Sequence, residues 1–225
     1  MKVMRFFSSK VAAVIAAAVI VSCSNSVDLP VERRADARKI RVSGEIPRPE
    51  KIDYSSSGGN AAAFAGGLAG GLVGGMLVAA AVQASYQDEV ELLEVMMGGR
   101  KGGATLTMKE EMERAIRRSS FTTLAGGSSA RSTMNLEITS LGFMPVGGGN
   151  YQFMIEMEAE LLGRDGVVIW SSYNGVYPHN EELPAGSLEE YRNDHARFRS
   201  DYRTCCRWVA EQLVDELKWQ VEPEG

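Results

Sequence analysis

The chain has 225 residues, of which 44% are hydrophobic and 24% are charged, and its formal net charge is -5. This apolar content is too high for a wholly disordered chain, and the length fits one domain with accessory segments or two small domains. The acidic balance argues against nucleic acid as the main partner. Three cysteines and two histidines leave little material for a metal site, so we expect neither metal nor cofactor.

Residues 1–22 have the pattern of a secretory signal peptide. A basic start is followed by an apolar run over 11–21, which is too short to span a bilayer. The run ends in Ile20-Val21-Ser22-Cys23, which resembles the lipobox of bacterial lipoproteins. This resemblance implies that Cys23 becomes the first mature residue and carries the acyl chains. The alternative is an ordinary signal peptide with a chance cysteine.

The residues after the cysteine predict where the protein is attached. Ser24 follows, not aspartate, and the enterobacterial sorting pattern then implies the outer membrane, with the domain on the periplasmic side. From Cys23 to Ala37 the chain is polar and shows no clear period, which is typical of a tether. In the segment 38–53 that follows, Ile40 and Val42 alternate with charged residues and predict a short strand.

An uncharged, glycine-rich stretch occupies the middle of the segment 54–97. Within it, residues 61–82 are all apolar or small, enough to cross a bilayer as a helix. Glycines recur every four residues in two registers, and this spacing predicts close helix packing. The glycines expected to mediate packing or oligomerisation are Gly66, Gly67, Gly70, Gly71, Gly74 and Gly75.

Three interpretations of this stretch remain open. It could be a membrane-inserted, self-associating helix or helical hairpin, a flexible linker, or a helix buried in a soluble oligomer. Since glycine in a helix exposed to water costs about 0.5–1 kcal/mol relative to alanine, a helix here needs lipid or another chain. The composition resembles the glycine-zipper regions of outer-membrane lipoproteins that assemble as rings. A single full crossing would put the C-terminal domain on the far side of the membrane, and the sequence does not decide the topology.

Residues 98–222 are predicted to form an α+β domain. Thr107 and Glu110 have the spacing of a capping box, and apolar residues at helical spacing follow, so we expect a helix over 108–119. Period-two alternation then predicts three strands, beginning near Met134, Tyr151 and Val167. The turn 163–166 supplies Asp-Gly between the last two strands.

A long C-terminal helix completes the predicted domain. Ser187 is its expected cap, and its end is predicted near Gln220. An apolar stripe suited to covering a sheet consists of Tyr191, Phe198, Tyr202, Cys205, Val209, Leu213 and Leu217. The expected fold class is therefore α+β: an antiparallel sheet of three to four strands with two helices on one face, and the glycine-rich helix or hairpin inserted.

The C-terminal residues resemble a set of small envelope lipoprotein domains. The shared features are the turn Arg164-Asp165-Gly166, the strand Val168-Ile169-Trp170 and a leucine-rich final helix. The set includes auxiliary lipoproteins of ABC-type transport and the lipopolysaccharide-assembly and curli-secretion lipoproteins. The resemblance implies a protein that supports or plugs an envelope machine without catalysis.

Several side chains are candidates for chemical sites. Neither His179 nor His195 has a second ligand at metal-binding spacing. The alternating glutamates 156, 158 and 160 are better explained as the solvated face of a strand than as an acid–base pair.

The adjacent cysteines 205 and 206 are expected to place one thiol in the core and one at the rim. The aromatic residues Trp170, Tyr173 and Tyr177 are expected to pack on the sheet.

These observations predict a non-enzymatic, lipid-anchored envelope protein. Its glycine-rich segment would drive homo-oligomerisation or membrane insertion, and its domain would act as a structural or transport-auxiliary component. The alternative is a monomeric periplasmic ligand-binding or accessory subunit of an envelope transport complex. In both cases the expected partners are the membrane and other envelope proteins.

Overall fold

A computed structural model describes residues 26–44, 46–47, 92, 103–176 and 180–223. The predicted signal peptide and nearly all of the glycine-rich segment therefore lie outside the described residues. The strands are β1 Lys39–Val42, β2 Thr123–Leu124, β3 Ser132–Gly147, β4 Asn150–Gly163 and β5 Val168–Val176. The helices are α1 Gly103–Arg118, α2 Leu188–Asn193 and α3 His195–Val221. Short 3-10 turns lie at Val31–Arg33, Asp36–Arg38 and Gly127–Ser129.

The described strands form one mixed sheet in the order β2-β1-β3-β4-β5. The strand β1 runs parallel to both β2 and β3, whereas β3, β4 and β5 form the predicted antiparallel meander. The α+β class is as predicted, but the expected three- to four-stranded antiparallel sheet is wrong. A long stretch of chain separates β1 from β2 and β3, and such a crossover lets strands pair in parallel. Two residues of β2 are too few to show a period.

The alternation of β3 and β4 places one face of the sheet in the core. Met157, Ala159 and Leu161 are completely buried, and they pair with core residues of β3. A bulge lies between Ile138 and Ser140, where one extra residue is inserted in β3. Because of this extra residue, Ile138 and Leu141 both face the core although they are three positions apart.

The helices α1 and α3 pack side by side over the core face, as predicted. The start of α1 differs from the prediction, since the helix begins at Gly103 and Thr107 lies inside it. Thr107 donates its hydroxyl to the Gly103 carbonyl at 2.8 Å, the intrahelical bond that competes with capping. The capping-box pattern was therefore misleading, although Met108, Met112 and Ile116 are buried as their spacing predicts.

The predicted C-terminal helix is divided in two at Asp194. Ser187 caps α2 in a complete capping box with Glu190, which confirms the predicted start. Asp194 then accepts hydrogen bonds from the amides of Ala196 and Arg197, at 3.0 and 2.9 Å, and starts α3. The predicted apolar stripe is confirmed, because all seven of its residues are buried.

The residues from Ser26 to Arg38 pack on the domain, so the tether predicted for 23–37 is corrected over this range. Val27 exchanges two backbone hydrogen bonds with Ser171 of β5, at 3.2 and 3.0 Å. Leu29 and Ala37 are buried. The composition of this segment is polar, but main-chain hydrogen bonds and the burial of Leu29 and Ala37 help to hold it on the domain.

Candidate functional site

The chain leaves the domain toward Cys23 at one end, which we call the anchor end. It comprises the segment 26–38, the hairpin 163–166 and the last turn of α3. Val27, which is fixed to β5, lies only four positions after Cys23 in the sequence. An extended chain spans at most about 3.5 Å per residue, so four residues can reach no further than ~14 Å.

An ion pair fixes the N-terminal segment to the hairpin. The Arg33 guanidinium donates to both oxygens of the Asp165 carboxylate, at 2.9 and 3.2 Å. These bonds, followed by one from the Val167 amide, lower the pKa of Asp165 to about 2. A methyl group at Gly163 would collide with the end of the Arg33 side chain, so a residue larger than glycine there would displace the guanidinium from this ion pair. This forked geometry sets the orientation of the segment that leads to Cys23.

A cleft of about 400 Å³ at the anchor end is lined by Arg41, Arg131 and Arg164, which we call the arginine cleft. All three side chains belong to exposed residues. Each donates to a neutral oxygen, and among the described residues none of the three forms an ion pair. The acceptors are the hydroxyl of Thr133 and the carbonyls of Ala35 and Ala130, at 2.9, 3.3 and 3.2 Å.

A larger groove lies between the N-terminal halves of α1 and α3, and we call it the helix groove. It has a volume of about 620 Å³, and its surface is mostly apolar. Leu106 and Phe198 contribute apolar surface, while Glu110 and Arg203 form an ion pair at 3.2 Å at its edge. Its size lies within the usual range for small-molecule sites, about 300–1,000 Å³.

The acidic strand residues are less exposed than predicted. Glu137 of β3 lies directly opposite Glu158 of β4, with Glu160 two positions along. Together with Ser43 and Pro47 they line a cleft of about 380 Å³. Desolvation, followed by repulsion from Glu160 and Glu137, raises the pKa of Glu158. The glutamates therefore lie on the face away from the core, as predicted, but Glu156, Glu158 and Glu160 are half-buried there.

Both adjacent cysteines are buried, so the expected division between core and rim is wrong. Their positions on α3 differ by one residue, but both fall within the wide arc that the sheet and α1 cover. Burial raises the pKa of Cys205 to about 12, and burial is also the main cause that raises the pKa of Cys206. Neither thiol is ionised near neutral pH, so neither can act as a nucleophile in this fold.

The remaining candidates are dispersed. His195 lies at the edge of the helix groove, and His179 lies outside the described residues. The described ranges contain no cluster of three or more histidine, cysteine or acidic residues that could hold a metal. Trp170 is buried in the sheet core as predicted, whereas Tyr173 is 37% exposed and Tyr177 is outside the described residues.

The residues predicted to carry the lipid and the packing contacts cannot be placed in the fold. Cys23 and the six zipper glycines lie outside the described residues, so these predictions stand untested. Among the helices that the structure describes, none combines the length and the apolar character needed to cross a membrane.

Comparison with known proteins does not identify a family. No family model and no curated protein matches the sequence. A solved DUF330 protein from Xanthomonas campestris is 19% identical, with 52% of this chain and 60% of that one covered at a TM-score of 0.38. A candidate lipoprotein from Caulobacter crescentus is 11% identical, with coverages of 54% and 85% and a TM-score of 0.37.

A third similar structure is the PelC dodecamer from Paraburkholderia phytofirmans. It is 11% identical, covers 83% of this chain and 95% of its own, and has a TM-score of 0.38. The three likenesses are distant, with TM-scores below 0.5. The function of this chain is therefore inferred from its own residues.

Proposed function

We propose that this chain is a non-enzymatic lipoprotein of a bacterial envelope, anchored through acylated Cys23, whose domain serves as a structural or transport-auxiliary component. The observation that carries the proposal is the attachment of Val27 to β5, four residues after Cys23. An acylated cysteine at that position would hold the folded domain directly against the membrane. Two or more acyl chains give stable anchoring, where one gives only marginal binding.

The chemistry of the described residues supports a role without catalysis. The two thiols are buried and their pKa values are raised, so neither provides a thiolate nucleophile. The paired glutamates of the acidic cleft face one another on adjacent strands, whereas His195 lines the separate helix groove. These groups therefore lie apart and form no nucleophile–base pair.

Metabolic labelling with radioactive palmitate in a bacterial host tests the anchor. The label is expected on the wild-type chain and absent from Cys23→Ala. Cys205→Ala is the matched control, because it removes a buried thiol and should leave the label unchanged. Fractionation on a sucrose gradient then separates outer from inner membrane, and we expect the outer membrane. Palmitate retained by Cys23→Ala would refute the anchor.

Self-association through the glycine-rich segment is the second part of the proposal. Replacing Gly70 and Gly71 by leucine would prevent close backbone approach, since the packing depends on missing side chains. Light scattering of the detergent-extracted protein should show a multiple of the protomer mass for the wild type and a smaller species for the variant. Gly126→Leu is the control, because nothing lies within 4 Å of its Cβ position. An unchanged mass for the double variant would reject the zipper.

The alternative is a monomeric accessory subunit that binds an apolar ligand in the helix groove. It is favoured by the volume and apolar lining of that groove and by Leu106, which is 49% exposed there. It predicts a protomer-sized particle that binds an apolar fluorescent probe such as anilinonaphthalene sulfonate. Leu106→Asp should abolish that binding, whereas Lys109→Asp, on the same helix outside the groove lining, should not.

A further inference from the structure

Among the described residues, four of the six exposed large apolar side chains lie at or next to the anchor end. Val27, Val31, Val167 and Trp219 are 39%, 69%, 56% and 59% exposed, and we call them the apolar rim. Single exposed apolar residues are ordinary, but a group of them at one end marks a contact surface. Leu106 lies in the helix groove near the opposite end of α3, a helix of 27 residues and about 40 Å.

Hydrogen bonds hold the apolar rim around the N-terminal segment. Val31 lies two residues before Arg33, and Val167 lies two residues after Asp165, the partner of that arginine. The Val167 amide also donates to the Asp165 carboxylate at 3.2 Å. These two valines are therefore brought together by the ion pair, although they are far apart in the sequence.

The other two rim residues are joined in a similar way. Trp219 is next to Gln220, whose amide nitrogen donates to the Asp28 carboxylate at 2.9 Å. Val27 immediately precedes that aspartate and pairs with β5. Each of the four rim residues thus lies within two positions of a residue that is bonded to, or belongs to, the N-terminal segment.

The arginine cleft lies at the same end and supplies unpaired positive charge. Three carboxylates nearby already have arginine partners, because Asp36 and Asp165 share Arg33, and Glu222 pairs with Arg38 at 2.8 Å. The arginines of the cleft contact only neutral oxygens within the described residues. Guanidinium groups in this state are well suited to phosphate, which accepts several of their hydrogen bonds.

We propose that the anchor end is a lipid-contact surface, in which the apolar rim enters the membrane interface and the arginine cleft binds lipid phosphate. The inference rests on the anchor proposed above, because a lipid on Cys23 would keep this end within ~14 Å of the bilayer. Exposed tryptophan suits the interface, where its ring is apolar and its N–H remains hydrated. The partner is therefore an anionic phospholipid surface.

The charge distribution along the sheet favours the same orientation. Arg41 and Thr133 form one row across the open face at the anchor end, and the row of Glu137 and Glu158 lies four residues further along β3. At about 3.3 Å per residue this is ~13 Å, more than one Debye length at physiological salt. An anionic membrane at the anchor end would attract the arginines, while the glutamates lie farther from it along the sheet.

Fluorescence quenching in vesicles tests the proposal on the full mature protein. The protein is reconstituted into phosphatidylcholine, with or without phosphatidylglycerol, in which part of the lipid carries brominated acyl chains. Trp219 is expected to be quenched, and the quenched component should be lost in Trp219→Phe. The quenching should increase with phosphatidylglycerol, and this increase should be lost when Arg41, Arg131 and Arg164 are all changed to glutamine.

A matched control changes Arg117, Arg118 and Arg199 to glutamine, which removes the same charge from exposed helix positions and should leave quenching unchanged. If both triple variants lose the phosphatidylglycerol-dependent increase in quenching equally, lipid binding by the arginine cleft is overturned. If the wild type is quenched no more than Trp219→Phe, membrane entry of the apolar rim is overturned. A protein that carries palmitate and floats with vesicles but shows no Trp219 quenching refutes this inference alone. Absence of palmitate refutes the anchor. In that case, quenching of Trp219 by brominated vesicles that are added to the protein still tests the lipid-contact surface.

Discussion

Glu111 of α1 lies 3.4 Å from Arg207 of α3, measured from Oε2 to Nε, and its side chain is completely buried whereas the arginine is 40% exposed. Arg203 and Arg114 also pair with the same carboxylate. This asymmetry means that the arginines can be rehydrated if the glutamate is lost. The glutamate has no such alternative if the arginines are lost.

Replacing both Arg203 and Arg207 by methionine should therefore lower the free energy of unfolding by about 3 kcal/mol, because a buried carboxylate loses two of its partners. Adding Glu111→Met to that variant should recover more than half of the loss. Urea denaturation of the detergent-solubilised protein, followed by tryptophan fluorescence, measures both. Glu110→Gln, which breaks an exposed ion pair, is the control and should change stability by less than about 1 kcal/mol. A triple variant less stable than the double would contradict this account.

Gly175 should not tolerate a side chain, although it lies within a strand. A methyl group there would lie 2.8 Å from the Ile155 carbonyl oxygen, and a paired backbone cannot move aside. Gly175→Ala should destabilise the protein by about 1–3 kcal/mol in urea denaturation. Gly126→Ala, in open space at a negative φ, should be neutral or stabilise by up to about 1 kcal/mol. Equal effects of the two variants would show that close approach is not the cause.

The Arg33–Asp165 pair should control the order of the N-terminal segment. The folded pKa of Asp165 is about 2, below its ordinary value of 3.8, so its contribution is complete above pH 4 and is lost as the pH falls toward 2. Arg33→Ala should speed backbone hydrogen exchange of residues 26–38 at pH 7. The free energy of global unfolding should change by less than the local free energy of opening in this segment. Gly163→Ala should do the same by displacing the guanidinium. Faster exchange that is confined to segments other than 26–38 would contradict this role.

Glu158 should be a source of instability at neutral pH. Its raised pKa means that the folded state binds its proton more tightly, so its unfavourable effect appears as the pH rises above the ordinary value of 4.5. Glu158→Gln should raise the free energy of unfolding at pH 7 by roughly 0.2–1 kcal/mol, the usual scale for like charges opposed across strands. The gain should vanish below pH 4. Glu189→Gln, on an exposed helix start, is the control, and a gain that persists in acid would contradict the explanation.

Cys205 and Cys206 should be unreactive until the domain unfolds. Both are buried and their pKa values are raised, so the thiolate that reacts with maleimide is scarce and inaccessible. Intact mass after labelling at pH 7.5 should show neither thiol modified in the native protein and both modified in urea. Rapid labelling of either thiol under native conditions would show that α3 opens locally.

Local periodicity predicted the parts of the fold in which one element repeats a pattern over many residues. The meander was visible in the alternation around Phe153 and Ile155, and α3 was visible in its apolar stripe, because burial on one face imposes period two or 3.6. The two-residue strand β2 and the break at Asp194 were not predicted. Too few residues form β2 to show a period, and the aspartate at 194 looks like an ordinary surface residue until its side chain is seen to cap a helix.

The candidate site was less predictable than the fold. Arg41, Arg131 and Arg164 belong to separate segments, and only the pairing of β1, β3 and β4 brings them to one cleft. Trp219 is one of many residues outside the apolar stripe of α3, and no spacing marks it. Its place near the N-terminal segment depends on the bond between the neighbouring Gln220 and Asp28, which are 192 positions apart.

The sequence by itself therefore determined the α+β class, the meander, the apolar face of the last helix and the prediction of a lipid on Cys23, since each depends on neighbouring residues and their chemistry. The tertiary structure decided the mixed order of the sheet, the docking of residues 26–38 and the assembly of the anchor end. These features arise from hydrogen bonds and ion pairs between distant segments, such as Arg33 and Asp165. The free energy of such contacts depends on proximity in space, which a linear pattern does not contain.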